Sequence, residues 1–197
     1  MADLSKPQRI MKRLLILLLA LMPVMASAQK VERNERNEKG VRHIETGSRM
    51  FTIGREMNMC GLNYQESKGT EWYTLVLYLT GQSSRWIVKQ GQELMMKDAN
   101  GNVATIVPQV ASKSSIAKGA NGVNYATTIM YFLTPEQADY IRNGLTKLRI
   151  NYTLQQDDSV SLFDINFPED MTSHLKKAIK NIEKTIPMPV DIDKSAF

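Results

Sequence analysis

Cysteine is nearly missing from this chain: Cys60 is the one thiol among 197 residues. An internal disulfide is therefore excluded, and so are structural zinc patterns, which need several thiolates or imidazoles at short spacing. Stability has to come from burial. Cys60 reads as a small buried hydrophobe. Histidine is almost as scarce, with His43 and His174 alone, and neither has a second histidine or a cysteine at metal-ligand spacing. No metal and no cofactor is read from the chain, and both imidazoles are expected at the surface. A nucleophile elbow and a glycine-rich phosphate loop are also lacking, and a Cys60/His43 dyad has no orienting third group.

No apolar run is long enough to cross a bilayer. The longest extends over Leu14–Met25, a dozen residues against the roughly 20 required. Lys12 and Arg13 precede it and Ala26, Ser27 and Ala28 follow, the n-region, h-region and cleavage site of an export signal. Residues 1–28 are therefore expected to be a signal peptide, with Met11 as the natural start and residues 1–10 upstream of it. The mature chain is expected in the periplasm or outside the cell, with no stable membrane span. A surplus of one charge is lacking too. The 25 basic and 20 acidic residues give +5, but removing the signal takes away four basic and one acidic residue and leaves +2. Nucleic acid is not an expected partner, because the basic surplus belongs mostly to the export signal.

What is present is period-two hydrophobicity. Residues 29–40, QKVERNERNEKG, carry one apolar side chain and are expected to be a flexible leader. Residues 41–197 then form a single β-rich domain. Two short half-alternating runs flank Gly47 and Ser48 and suggest a first pair of strands. In EWYTLVLYLTG, residues 71–81, Tyr73, Leu75, Leu77 and Leu79 point one way and Trp72, Val76 and Tyr78 the other, so a central strand covered on both faces is expected. RWIVKQG and QELMMKD follow as short strands. SKSSIAKGANG is a polar, mobile loop in this reading, and VNYATTIMYFL resumes as a strand. TKLRINYTL and SVSLFDINF alternate cleanly and pair through the QQDD turn.

The stretch LMMKDANGNVATI, 94–106, needs a decision between calcium and a turn. Asp98, Asn100 and Asn102 fit the start of a calcium loop, but Val103 replaces the required glycine and Gln109 replaces the acid. Asn100-Gly101 instead fits a type I′ hairpin turn. Thr134, Pro135 and Gln137 have the spacing of a capping box, so a short helix is expected at about 135–143, ended by Gly144. Pro168, Glu169 and Asp170 open an amphipathic helix at about 169–186, whose stripe is Met171, Leu175, Ala178, Ile179, Ile182 and Ile186. Lys176, Lys177, Lys180 and Lys184 lie opposite that stripe as a solvated face. The fold class is thus mainly β with two helices: an antiparallel β-sandwich or curled sheet.

The blocks RWIVKQGQELMMKDANGNVATI and YFLTPEQADYIRNGLTKLRINY resemble a pattern of small exported proteins of gut Gram-negative bacteria. The resemblance spans roughly residues 71–153 and rests on Asp98–Gly101, Thr134–Gln137, Gly144, Arg149 and Ile150. It implies an antiparallel β-sandwich or curled sheet with a helix closing one end, and no function is carried over. Asp158-Ser159-Val160 is also similar to the O-glycosylation signal of exported proteins in such bacteria, which makes Ser159 a candidate glycosylation site beside its plainer reading as a hairpin turn.

Three functional expectations follow. The first is a noncatalytic envelope or extracellular module that binds a protein, peptide or glycan, with Trp72, Tyr78 and Trp86 as the aromatics that would stack on a sugar, or else pack in the core. The second is a small hydrolase using carboxylates such as Asp157, Asp158 and Asp164. The third is an accessory subunit of an envelope complex, which requires an exposed apolar patch or an open sheet edge.

Overall fold

Alternating burial builds two antiparallel sheets that share one core. The computed structural model describes residues 30–119 and 122–192, with the side chains of 117–123 and 191–192 left undescribed. The expected signal peptide lies outside these residues. One sheet has eight strands: β1 (Val31–Arg36), β2 (Arg42–Thr46), β3 (Arg49–Ile53), β4 (Glu56–Ser67), β5 (Thr70–Gln82), β9 (Val110–Gly119), β10 (Gly122–Leu133) and β13 (Asp191–Ile192). Their order is β13-β1-β2-β4-β5-β10-β9, with β3 also on β4. The other sheet orders β12 (Val160–Asn166), β11 (Leu145–Leu154), β7 (Leu94–Asp98) and β8 (Val103–Ile106), and β6 (Trp86–Ile87) pairs with the far end of β11. Among the described residues, β1 with β13 is the one parallel pair, and the helices are α1 (Asp139–Arg142) and α2 (Glu169–Thr185). Over these residues the chain is mainly β with two helices, and its sheets form a sandwich-like arrangement.

The core is continuous through both layers. Leu62, Tyr64, Leu75, Leu77, Ile129 and Tyr131 from the first sheet meet Leu94, Met96, Leu148, Ile150 and Ile165 from the second, and Met171, Leu175, Ile179 and Ile182 of α2 complete the cluster. The expected stripe of α2 is the buried one. Its four lysines are exposed. Cys60 is fully buried, and desolvation pushes its thiol pKa far up, so it behaves as a core side chain.

Several expectations are corrected. Residues 31–36 are a strand rather than a flexible leader. Strand pairing uses backbone groups that every residue carries, and charges alternate to match: Arg33 pairs with Glu35 and Glu45, and Arg36 with Glu66. For the same reason residues 110–119 form β9 against β10, where a mobile loop was expected. The two strands expected around Gly47-Ser48 are present as β2 and β3, and they do not pair with each other. They follow one another along β4, β2 on Asn63–Glu66 and β3 on Glu56–Cys60, and the chain bends between them at Gly47-Ser48, where the Ser48 hydroxyl lies in the space a Cβ on Gly61 would need. The expected short helix is reduced to 139–142. It is still introduced by a reciprocal capping box, in which Gln137 N–H donates to Thr134 Oγ1 at 3.3 Å and Thr134 N–H to Gln137 Oε1 at 3.0 Å.

The 98–102 turn also differs in kind from the expected type I′. Gly101 has φ +86, but Asn100 is not at positive φ. Gly101 N–H donates to Asp98 O and Asp98 N–H to Asn102 O, each at 3.1 Å, which is a four-residue turn closed by a glycine bulge. Asp98 decides the geometry. Its buried carboxylate accepts from the backbone N–H of Asn100 and of Asn102 and from the side-chain amides of Asn102 and Asn143, at 2.9 to 3.2 Å. Burial alone would raise its pKa, but these four bonds outweigh it and hold the carboxyl below its ordinary range.

His174 is not the surface group expected. It is half-buried between α2 and the β2–β3 bend, where its Nε2–H donates to Gly47 O at 3.0 Å. Desolvation lowers its pKa from the ordinary 6.5, with Arg49 and Lys177 acting in the same sense, against the Gly47 bond and Asp170. The unfolded chain therefore takes up the proton more readily than the folded one, so this contribution to stability is complete above 6.5 and is lost as pH falls through the depressed folded value. Replacing His174 by Gln is expected to flatten the acid-side loss of Tm in that window. An identical Tm–pH slope in both proteins would sink the assignment.

A candidate partner-binding face on the eight-stranded sheet

Residues directly opposite one another on neighbouring strands share a face, and the pairing register therefore lays out the side of the large sheet that looks away from the core. One row across it is Met50, Met59, Tyr78, Thr128 and Lys113; the next is Gly61, Val76, Met130 and Ala111; the third is Asn63, Thr74 and Phe132. Gln65 and Trp72 close one end, and Thr52 with Met57 the other. Over β3, β4, β5 and β10 these positions carry no charged side chain; charge enters at the margins, with exposed Lys113 on β9 and Glu45 opposite Asn63 on β2. Four methionines stand in the open, with Met50 60%, Met57 61%, Met59 39% and Met130 37% exposed, while Trp72, Val76, Tyr78 and Phe132 are half-buried.

The strand β5 is thus central, as its composition requires, yet covered on one face only. Two-sided apolarity arises here from an inner core face and an outer apolar surface, rather than from two covering layers. That surface measures about 20 Å along β5 from Trp72 to Tyr78 and about 14 Å across four strands. Depletion of charge with enrichment of Met and aromatic residues is the composition that marks the centre of a protein interface. Methionine suits such a surface because its unbranched, polarizable side chain adapts to different partners.

The three aromatics expected to form a sugar site are not brought together. Trp86 is 4% exposed and belongs to the core, with its ring centroid 4.7 Å from Tyr152 and 5.9 Å from Phe163. Trp72 and Tyr78 do lie on the outer face, but about 20 Å apart, too far to grip one sugar unit. Trp72 is held in place by its indole N–H, which donates to Gln65 Oε1 at 2.9 Å.

The carboxylates of the hydrolase reading are engaged separately. Asp164 accepts from Arg149 at 2.6 and 2.8 Å and lies 2.7 Å from Lys147; these bonds, Arg149 first, hold its pKa well below the ordinary range. An acid so stabilised as its anion is a poor proton donor at neutral pH. Asp157 accepts from the Ser159 hydroxyl at 2.7 Å and its backbone N–H at 3.0 Å, and Asp158 pairs with Lys89 at 3.1 Å. Ser159 is exposed in its turn, just after Asp158 at φ +56. His43 lies on β2 opposite Glu35 and Gln65, whereas Cys60 is on the buried face of β4, so no dyad forms. Among the described residues, no group of three His, Cys, Asp or Glu side chains could hold a metal, and the Asp98 oxygens are already occupied.

Sequence reasoning did not find the methionine face. The available signal was the alternation of Met57 and Met59 with Asn58 and Cys60, which looks disordered until Asn58 is seen to be buried. Asn58 accepts Thr80 N–H at 2.9 Å and donates to Glu56 O at 3.1 Å, which satisfies it in the core. Neither a protein-family model nor a curated protein nor a solved structure matches this chain.

Proposed function

We propose that the protein is an exported, noncatalytic module that binds another polypeptide through the outer face of its eight-stranded sheet. The observation that carries the reading is the methionine-rich surface over β3, β4, β5 and β10, bare of charged side chains on those strands and with the composition that marks the centre of an interface. The required partner has an apolar, uncharged surface of its own, because a charge placed against these rows would lose its water without gaining a counter-ion. The same surface meets the requirement of the accessory-subunit reading, and the export-signal pattern read from the sequence at residues 12–28 supports a meeting in the envelope or outside the cell.

The test is the double variant Met59→Glu with Met130→Glu, together with a photo-crosslinking residue at position 59 or, as a control, at Leu162 on the second sheet. Both methionines are exposed, so Tm is expected to change by no more than about 2 °C. Position 59 is expected to give one discrete adduct with a second protein in native envelope fractions, and the adduct is lost when Met130 is Glu. Equal adducts from positions 59 and 162, or an adduct indifferent to Met130→Glu, would overturn the proposal.

A further inference from the structure

Where β5 begins, the outer face runs into a groove of about 760 Å³, between the sheet and the Val107–Gln109 segment that leads into β9. This is within the size range of small-ligand sites. Trp72, Phe132 and Pro108 form its apolar part. Three properties of its lining select a ligand class.

The aromatic platform is preset. The only donor of the Trp72 indole is spent on Gln65 Oε1, so the ring offers its π face and nothing else. Three amides stand in the polar lining, and two of them have their oxygen engaged. Gln65 Oε1 accepts from Trp72 and Gln137 Oε1 accepts from Thr134 N–H, which leaves the amide N–H groups for a ligand, beside the exposed side chain of Gln109 and the carboxylate of Glu71. The third property is charge: Glu71 is the one ionisable side chain in the lining and no cation accompanies it.

An anionic ligand finds no counter-charge there, and a cationic one cannot use the amide donors. A proline-rich peptide docking on a tryptophan needs the indole N–H as donor to its carbonyls, and that N–H is occupied. Hydroxyl groups both donate to Glu71 and accept from the amides, and the C–H face of a pyranose carries the slight positive charge that an aromatic face attracts. We infer that this groove binds a neutral oligosaccharide, with one ring stacked on Trp72 and its hydroxyls held by Gln65, Gln109, Gln137 and Glu71. The groove shares Gln65, Trp72 and Phe132 with one end of the outer face, but the exposed methionines are not part of its lining, so Met59→Glu with Met130→Glu tests the polypeptide partner and Gln109→Ala tests the groove.

The experiment is calorimetric titration of the full mature chain with neutral hexasaccharides of glucose in α and β linkage, of xylose and of mannose. A sulfated tetrasaccharide and a proline-rich decapeptide form separate arms. One neutral series is expected to bind saturably with Kd between about 0.01 and 1 mM. Trp72→Ala is expected to weaken it at least tenfold. Gln109→Ala, on an exposed side chain whose loss leaves Tm unchanged, is expected to weaken it about threefold; it keeps the test decisive if the Trp72 variant is destabilised. Absence of saturable binding to every neutral series up to about 10 mM, affinity unchanged by both substitutions, or saturation by the sulfated sugar or the peptide in their place would overturn the inference.

Discussion

Arg42→Met is expected to cost about 3–5 kcal/mol of folding stability and to lower Tm by about 6–20 °C. Arg42 is 4% exposed, and its guanidinium donates to Thr185 O at 2.9 Å, Ile186 O at 2.6 Å, Met188 O at 3.2 Å and Asn34 Oδ1 at 3.1 Å. The last carbonyls of a helix have no partner within it and carry the negative end of its dipole. A buried cation from β2 meets both needs at the end of α2. Methionine preserves the packing volume but takes a donor from each of three carbonyls, of which Thr185 O keeps the Met188 N–H at 2.9 Å. Asn34 also donates to Pro189 O at 3.0 Å, so β1, β2 and the segment after α2 are expected to lose hydrogen-exchange protection together. Lys176→Met, on the exposed side of the same helix, is expected to stay within about 0.5 kcal/mol. A Tm change for Arg42→Met as small as that of Lys176→Met would show that the helix end is held by something else.

Adjacent positions of β5 are expected to differ as sharply. Leu77 is fully buried and faces the second layer; Leu77→Ala is expected to cost about 3–5 kcal/mol, through lost transfer energy and the cavity left behind. Val76 is half-buried on the outer face between Gly61 and Met130. Val76→Thr is expected to cost less than about 1 kcal/mol in the isolated protein. Denaturant unfolding of both variants measures the contrast. Equal losses would mean that the outer face is packed as tightly as the inner one, and the binding surface would lose its basis. In the presence of a bound partner, Val76→Thr is expected to lower affinity while leaving the free protein's stability nearly unchanged.

The expected strands at 71–81, 123–133, 146–154 and 159–167 all exist, as does the stripe of the last helix, because local alternation and helical spacing are properties of neighbouring residues. The errors share a cause. The polar runs at 31–36 and 113–119 lack an apolar signal, yet each lies at a sheet margin where pairing needs backbone groups and little burial. Asn100-Gly101 suggests a tight type I′ turn, but the Asp98 carboxylate gathers four donors, one of them from Asn143 on the far side of α1, and sets a wider one. Of the candidate aromatics, Trp72 and Tyr78 kept surface positions and Trp86 did not. Alternation assigns residues to faces in pairs and is silent about which face a neighbouring layer will occupy.

Side-chain spacing along the chain was therefore sufficient to establish a β-rich fold and the amphipathic closing helix. Which surface of the large sheet stays bare, where Arg42 finds its acceptors more than 140 residues away, and which tryptophan meets solvent were settled when the layers packed. These are long-range matters: a strand's own residues define its two sides, but only the elements that arrive from elsewhere in the chain choose between them.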